Sequence, residues 1–155
     1  MARTIATKDR VDRAGLLDFL RSRHRLILST RRADGSDQLS PVTAGLDGEG
    51  RILIATYPQR AKVRNLRLDP TASACVLSDE WNGPWVQVSG RAEIVDLPDA
   101  LDAFVDYYRG ISGEHPDWDE YREAMVKQGK CLIRLTIDRW GPVATGGFPP
   151  ELADG

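Results

Sequence analysis

The chain has 155 residues, of which 41% are hydrophobic and 28% are charged, so its length and composition suit one globular domain spanning residues 1–155. A formal net charge of −2 argues against general nucleic-acid binding, which requires a strongly basic surface. No apolar run reaches the roughly 18 residues of a membrane span, and residues 1–13 lack the apolar core of a signal peptide, so we expect a cytoplasmic protein without a membrane span.

The first half of the chain predicts one helix and three strands. Leu16, Leu17 and Leu20 form an apolar stripe at helical spacing within residues 9–22. Alternating side chains then predict strands at residues 25–31, 38–46 and 51–57, separated by short turns. Such short connections favour an antiparallel meander.

Prolines and glycines divide the second half into further elements. A short helix over residues 61–69 ends before Pro70, because a residue that precedes proline is biased away from helical geometry. Two longer helices begin near Pro98 and Trp118, and the remaining strands are predicted at residues 73–77, 85–95 and 131–137. The tail, residues 141–155, shows no periodicity and is expected to be irregular. Together the elements predict an α+β fold with a six-stranded antiparallel barrel and flanking helices.

A basic segment lies where the third strand gives way to the short helix. Arg60, Lys62, Arg64 and Arg67 follow one another closely, with Asn65 among them. Free backbone N–H groups and the helix dipole favour an anion at such a junction, and Arg60 and Lys62 stand nearest to its start. On spacing alone, a solvated basic helix surface is the slightly better explanation.

Two further features suit a ligand with a flat ring. Pro41 interrupts the second strand, and a proline there indicates an edge strand or a backbone beside a ligand; a plain edge strand is the alternative. The residues around it are Gln38, Leu39, Ser40 and Val42. Trp85 and Gln87 share the polar face of a later strand, so a partner subunit, a ring-shaped ligand or a helix of the same chain must cover the tryptophan.

The sequence gives little support for other kinds of site. Cys75 and Cys131 lie in apolar runs, which is typical of buried, inert thiols, and their spacing forms no metal or disulfide motif. His24 and His115 have no neighbours that indicate a triad or a metal site, so we predict no metal centre. The chain also lacks a P-loop and the glycine fingerprint of Rossmann folds.

A family resemblance rests on two stretches of the chain. The order of elements, the segment PQRAKVRNL at residues 58–66 and the Asp69-Pro70 pair resemble the pyridoxamine 5′-phosphate oxidase-like split barrels. The segment YRGISGEHPDWDEYR at residues 108–122 resembles the actinobacterial F420-dependent oxidoreductases of that superfamily. The resemblance extends from about Leu16 to Gly141 and implies a Greek-key split barrel of the FMN-binding type. It also implies a homodimer with the cofactor in a groove between the subunits.

The resemblance implies roles for individual residues. Arg60 and Lys62 match phosphate-binding positions of the family, and Arg64 and Asn65 match neighbours in the same groove. Thr56 closes the third strand beside the phosphate. The strand that meets the ring system of the cofactor is matched by Gln38, Ser40, Pro41 and Val42.

The resemblance further implies hydride transfer from reduced deazaflavin F420 to a small unsaturated or quinone-like acceptor. Trp85 matches an aromatic position that approaches the cofactor from the other subunit, and no side chain stands out as a catalytic acid. F420 is a long anion with one phosphodiester and a poly-glutamate tail, which suits the nine Lys and Arg residues among the first 32 positions. Two alternatives remain: an FMN-dependent flavoprotein of the pyridoxamine phosphate oxidase type, and a non-catalytic protein that carries F420 or binds haem.

Overall fold

A computed structural model describes residues 4–153 of the chain. The strands are β1 (Thr7–Asp9), β2 (Arg25–Arg31), β3 (Asp37–Thr43), β4 (Gly45–Leu46), β5 (Ile52–Thr56), β6 (Thr71–Leu77), β7 (Val86–Val95), β8 (Cys131–Trp140) and β9 (Val143–Thr145). The helices are α1 (Arg13–Arg21), α2 (Ala61–Leu68), α3 (Leu101–Ser112) and α4 (Trp118–Gln128), with a 3-10 turn at Pro150–Leu152. Seven strands form an antiparallel sheet in the order β3-β2-β6-β7-β8-β5-β4, and β1 and β9 form a separate ribbon.

The long sheet curls, and its two edge strands, β3 and β4, are consecutive in the chain. β3 pairs with β2, β4 pairs with β5, and only Ala44 separates β3 from β4. The prediction of one strand at residues 38–46, and hence of six strands, is therefore wrong, because the sheet has seven. The chain bends at Ala44, and His24 stabilises this kink. The His24 carbonyl accepts the Ala44 N–H at 2.9 Å, and its Nδ1 donates to the Ala44 carbonyl at 2.9 Å. The α+β architecture is confirmed, and the curled sheet is consistent with a split barrel.

Alternation along the strands separates an interior face from an outer face. Aliphatic side chains such as Leu28, Val88 and Ile133 fill the interior and are fully buried. Each such side chain stabilises the fold by about 1.5–3 kcal/mol relative to an exposed one. α1 adds Leu16 and Leu20 to this core, so the apolar stripe read from the sequence is the face that covers the sheet.

α3 and α4 form a second layer over the outer face of β5 and β8. Leu53 of β5 lies beneath the fully buried Phe104 of α3. Tyr121 of α4 donates a hydrogen bond to the Phe104 carbonyl at 2.9 Å, and burial raises the pKa of Tyr121 to about 12, so its hydroxyl remains a donor at neutral pH. Where α3 meets β4, a Cβ at Gly45 would lie 2.9 Å from the Tyr107 carbonyl oxygen, and this close approach requires glycine.

A bulge changes the register between β7 and β8, the longest strands. Ser89 lies opposite Arg139, whereas Gly90 lies opposite Ile137, so β8 carries one extra residue, Asp138. A bulge bends the strand that contains it and increases the local twist. This bend contributes to the curl that brings the two edges of the sheet together.

The ends of the chain differ from the sequence-based expectation. The first helix begins at Arg13, where the Asp12 carboxylate accepts the Gly15 N–H at 2.9 Å, and residues 7–9 form β1 instead. The tail is not wholly irregular, because β9 pairs with β1. Residues 1–3 and 154–155, including the last two of the tail, lie outside the described residues. No helix within residues 4–153 has the length and apolar character that crossing a membrane requires.

Candidate ligand site between β3 and the start of α2

β3 and β5 lie on either side of the kink at Ala44 and are not paired with each other, and we call the space between their facing edges the slot. β4 pairs with β5 through Gly45 and Leu53, after which β5 continues to Thr56 while β3 leads back to Asp37. In the part of the chain that the structure describes, β3 pairs only with β2, so its other edge lines the slot. The opposite wall consists of the end of β5 and the start of α2.

Pro41 fixes which backbone groups of β3 face the slot. A proline cannot donate to a strand ladder and is tolerated where its nitrogen points away from the neighbouring strand. Pro41 therefore directs its backbone away from β2, and Leu39, two residues along, does the same. Backbone directions alternate along a strand, and the N–H of Ala44, three residues after Pro41, accordingly points the other way and bonds the His24 carbonyl. The carbonyl oxygens of Leu39 and Pro41 are thus acceptors on the slot side.

The side chains of β3 alternate between the interior and the exterior of the sheet. Gln38, Ser40 and Val42 are half-buried because they stand opposite interior-facing residues of β2, whereas Leu39 is 63% exposed. The Ser40 hydroxyl oxygen is buried and has no hydrogen-bond partner among the described residues. A buried hydroxyl without a partner is unfavourable by about 1–3 kcal/mol. Ser40 is therefore suited to bond a polar ligand group that enters the slot.

Two side-chain hydrogen bonds that meet at the buried Thr30 link α2, β2 and β3. Asn65 Nδ2 donates to Thr30 Oγ1 at 3.1 Å, and the Thr30 hydroxyl donates to Gln38 Oε1 at 3.2 Å. Thr30 is fully buried and Asn65 is 9% exposed. Thr30 thus joins two residues of the candidate site, and no motif in the sequence singles it out. Its signal in the sequence is weak: a polar residue that ends the apolar face formed by Leu26 and Leu28.

The two residues assigned to phosphate binding stand at the start of α2. Arg60 is the exposed residue immediately before the helix, and its guanidinium lies 5.8 Å from the centre of the Tyr57 ring. Lys62 is half-buried, and burial together with the positive charge of Arg60 lowers the pKa of its ammonium group. A cation in this position is stabilised when an anion binds beside it. Lys130 approaches the same Tyr57 ring at 5.7 Å and adds a cation that the sequence pattern does not single out.

The other polar residues of α2 have different surroundings. Arg67 forms an ion pair with Asp96 at 2.7 Å, so its charge is already compensated. Arg64 is exposed, one turn of helix after Arg60. Asn65 is buried and reaches the slot through its bond to Thr30. The structure therefore connects Gln38 with Asn65 and places the remaining basic residues at and after one strand–helix junction.

Trp85 lies on the outer face of the sheet, immediately before β7. It is 39% exposed, while the adjacent Val86 is fully buried. Its backbone N–H and carbonyl bond Ala144 at 2.9 and 3.0 Å, which ties the tail of the chain to this strand. With Cys75 and Trp81 it lines a groove of about 590 Å³. An approach of Trp85 to a ligand in the slot thus requires a second subunit, and it stays a prediction.

Comparison with known proteins gives one family and several similar structures. The family model described as pyridoxamine 5′-phosphate oxidase matches residues 14–144. Conserved hypothetical protein Rv2991 from Mycobacterium tuberculosis is 26% identical, with a TM-score of 0.72, and the match covers 88% of this chain and 89% of that one. A structure named F420 reductase is 21% identical, with a TM-score of 0.58 and coverage of 80% and 94%. A heme binding protein from Mycobacterium smegmatis is also 21% identical, with a TM-score of 0.65 and coverage of 86% and 55%, and at 21% identity both show a shared fold.

Proposed function

Because the chain belongs to the pyridoxamine 5′-phosphate oxidase family, we propose that it is an oxidoreductase that binds deazaflavin F420 in the slot beside β3. The reaction is hydride transfer between reduced F420 and a small unsaturated or quinone-like acceptor. The observation that carries this proposal is the pair of cations at the junction of β5 and α2, Arg60 and the half-buried Lys62, and the unpartnered Ser40 hydroxyl on the edge strand β3 supports it. The shared fold with an F420 reductase supports the choice of cofactor. We further propose that residues 1–155 form a single cytoplasmic domain.

The proposed site residues have distinct tasks. Arg60 and Lys62 hold the phosphodiester, because an arginine grips two phosphate oxygens and a lysine adds a mobile charge. Thr56 and Arg64 line the same end of the groove. The edge of the ring meets the groups of β3, namely Gln38, Ser40, Pro41 and Val42. The cofactor supplies the hydride chemistry, and the chain supplies binding, orientation and exclusion of water.

Titration with F420 and with FMN tests the choice of cofactor. We expect F420 to bind with a dissociation constant on the order of 1 μM, followed by the change in its fluorescence. FMN is expected to bind about ten-fold more weakly, because it lacks the poly-glutamate tail that basic residues can contact. Tighter binding of FMN, or a yellow protein on purification, would replace F420 with FMN in the proposal. Absence of binding to both would contradict it.

Turnover separates an enzyme from a carrier. The shared fold with a heme binding protein makes a non-catalytic function the second candidate. An enzyme oxidises reduced F420 in the presence of some acceptor in a panel of quinones and activated alkenes. A carrier binds F420 tightly and oxidises none of it, and a haem protein binds haem in preference to both other cofactors.

We also propose that a second copy of this chain covers the outer face of β2, β3, β6 and β7. Trp81 is 87% exposed on the loop before β7, and with Leu39 and Trp85 it gives this face an apolar area. Beside that area, a groove of about 290 Å³ contains charges of both signs, from Arg31, Asp37, Arg91, Asp138 and Arg139. In a dimer with two-fold symmetry, the same patch of each copy contacts its counterpart. A face with apolar groups and charges of both signs can therefore pair with a second copy of itself. In such a dimer Trp85 of the second copy can complete the cofactor groove.

Replacement of Trp81 with glutamate is expected to convert a dimer into a monomer, because it places a charge in the apolar area. Analytical ultracentrifugation distinguishes the 17.2 kDa chain from its dimer. Val126→Glu is the matched control, since Val126 is 54% exposed on α4, away from this face, and the variant should remain dimeric. A wild-type protein that sediments as a monomer, or a dimer that tolerates Trp81→Glu, would exclude this interface.

A further inference from the structure

We propose that Thr30 is a positioning residue that fixes the carboxamide of Gln38 with its N–H groups toward the slot. The site then selects a ligand that presents a hydrogen-bond acceptor, such as a ring carbonyl oxygen, to Gln38. This inference rests on the proposed function, because it assumes a ring-bearing ligand in the slot. Thr30 touches no ligand in this arrangement and acts through the side chain opposite it on β3.

The direction of the hydrogen bonds decides which end of the Gln38 amide faces the ligand. Asn65 Nδ2 can only donate, so Thr30 Oγ1 accepts from it at 3.1 Å. The hydroxyl hydrogen of Thr30 is then left to donate, and Gln38 Oε1 accepts it at 3.2 Å. The oxygen of the Gln38 amide is therefore engaged inward. Its nitrogen has one contact among the described residues, a long one of 3.5 Å to the Leu39 carbonyl.

Burial strengthens this arrangement. Thr30 is fully buried, so water does not compete for its hydroxyl, and turning over the Gln38 amide would leave the Thr30 O–H without an acceptor. Ser40 lies two residues from Gln38 on the same face of β3 and carries the unpartnered hydroxyl. Gln38 and Ser40 thus form a short polar row in which one member donates and the other can donate or accept.

The same bonds connect β3, where the ring is proposed to bind, with α2, where the phosphate is proposed to bind. Asn65 stands on α2 three residues after Lys62, which places the two about one helical turn apart. Asn65 is tied to β2 through Thr30, and β2 is paired with β3 along its whole length. Thr30 therefore sets the position of Gln38 relative to the helix that carries the phosphate ligands.

Replacement of Thr30 with valine tests the proposal, with Thr30→Ser as the matched control. Valine has the same shape but makes neither bond, whereas serine keeps the hydroxyl. For whichever of F420 or FMN the wild-type protein binds, we expect affinity to fall about ten-fold in Thr30→Val and to return to within about three-fold in Thr30→Ser. In a Gln38→Met background, Thr30→Val should cause no further loss, because the group on which Thr30 acts is gone. A Thr30→Val variant with unchanged affinity, or with an equal additional loss in the Gln38→Met background, would overturn the proposal.

A second measurement needs no cofactor. In ¹⁵N NMR spectra of the ligand-free protein, the Gln38 side-chain amide, assigned by its disappearance in Gln38→Met, should show signals displaced from those of a free glutamine. These signals should move toward the free values in Thr30→Val and keep their displacement in Thr30→Ser. Unchanged Gln38 signals in Thr30→Val would overturn the positioning role even if cofactor affinity falls, whereas signals that move to the free values in a protein that binds neither F420 nor FMN would support the positioning and contradict only the proposed function. If Thr30→Val does not fold, Gln38→Met decides alone: it should lose about ten-fold in affinity, and an unchanged affinity would overturn the proposal.

Discussion

Replacement of Lys62 with alanine is expected to weaken the binding of F420 by about 10- to 100-fold. A charge-assisted hydrogen bond to phosphate contributes about 1.5–3 kcal/mol, and 1.4 kcal/mol corresponds to a factor of ten in affinity. Lys62 is already half-buried in the free protein, so binding removes little further water from its ammonium group. Arg60 stays in place and retains part of the phosphate contact, which is why binding weakens and is not abolished. Fluorescence titration of F420, and of FMN in parallel, measures the change.

The pH dependence of this affinity provides an independent check on Lys62. Burial and the charge of Arg60 lower the pKa of Lys62, so its charge is lost at a lower pH than that of an ordinary lysine. Affinity in the wild type is therefore expected to fall as the pH rises into the alkaline range, and Lys62→Ala should show a smaller fall. Lys127→Ala is the matched control, because Lys127 is an exposed lysine on α4, and its affinity should change less than about two-fold. Equal affinities for wild type and Lys62→Ala would exclude the phosphate assignment.

The curled sheet is predictable where side chains alternate, and less so where distant contacts bend the chain. Within residues 38–46 the local signals are Pro41, three positions before the break, and Gly45 beside it, and neither by itself predicts that the strand ends at Ala44. The break depends on His24, which lies 20 positions earlier in the chain, and on α3, which lies against Gly45. These partners meet only after the sheet has formed. The same reasoning explains β1 and β9, which have three residues each and join parts of the chain 138 positions apart.

The candidate site divides in a similar way. Arg60 and Lys62 can be found from the sequence because charge beside a strand–helix junction is itself a signal. Thr30 cannot be found in this way, because threonine is a common residue in strands. Only the packing of α2 against β2 shows that its hydroxyl lies between two side-chain amides. The role of a polar side chain that orients another side chain depends on its hydrogen-bond partners, and the tertiary fold determines those partners.

Replacement of Gly90 with alanine is expected to destabilise the fold by about 3 kcal/mol or more, the largest stability effect we expect from a single methyl group in this chain. A Cβ at Gly90 would be placed onto the backbone carbonyl of Thr136 on the neighbouring strand. The carbonyl belongs to the β7–β8 ladder and cannot move aside as a flexible side chain can. The strain would come from this close contact and not from the backbone conformation, since Gly90 is not among the glycines with a positive φ. Relief requires the bulge at Asp138 to shift, which would disturb the bend that closes the sheet.

Gly48→Ala is the matched control for this substitution. Gly48 lies in the turn before β5, has no positive φ, and a Cβ there would meet nothing within 4 Å. Its free energy of unfolding should change by less than about 0.5 kcal/mol, because a surface change away from special features has little effect. Urea unfolding followed by tryptophan fluorescence measures both variants, and the midpoint of Gly90→Ala should fall well below that of Gly48→Ala. Equal midpoints would mean that β7 and β8 can separate at the bulge without loss of stability, and the bulge would then not be the feature that closes the sheet.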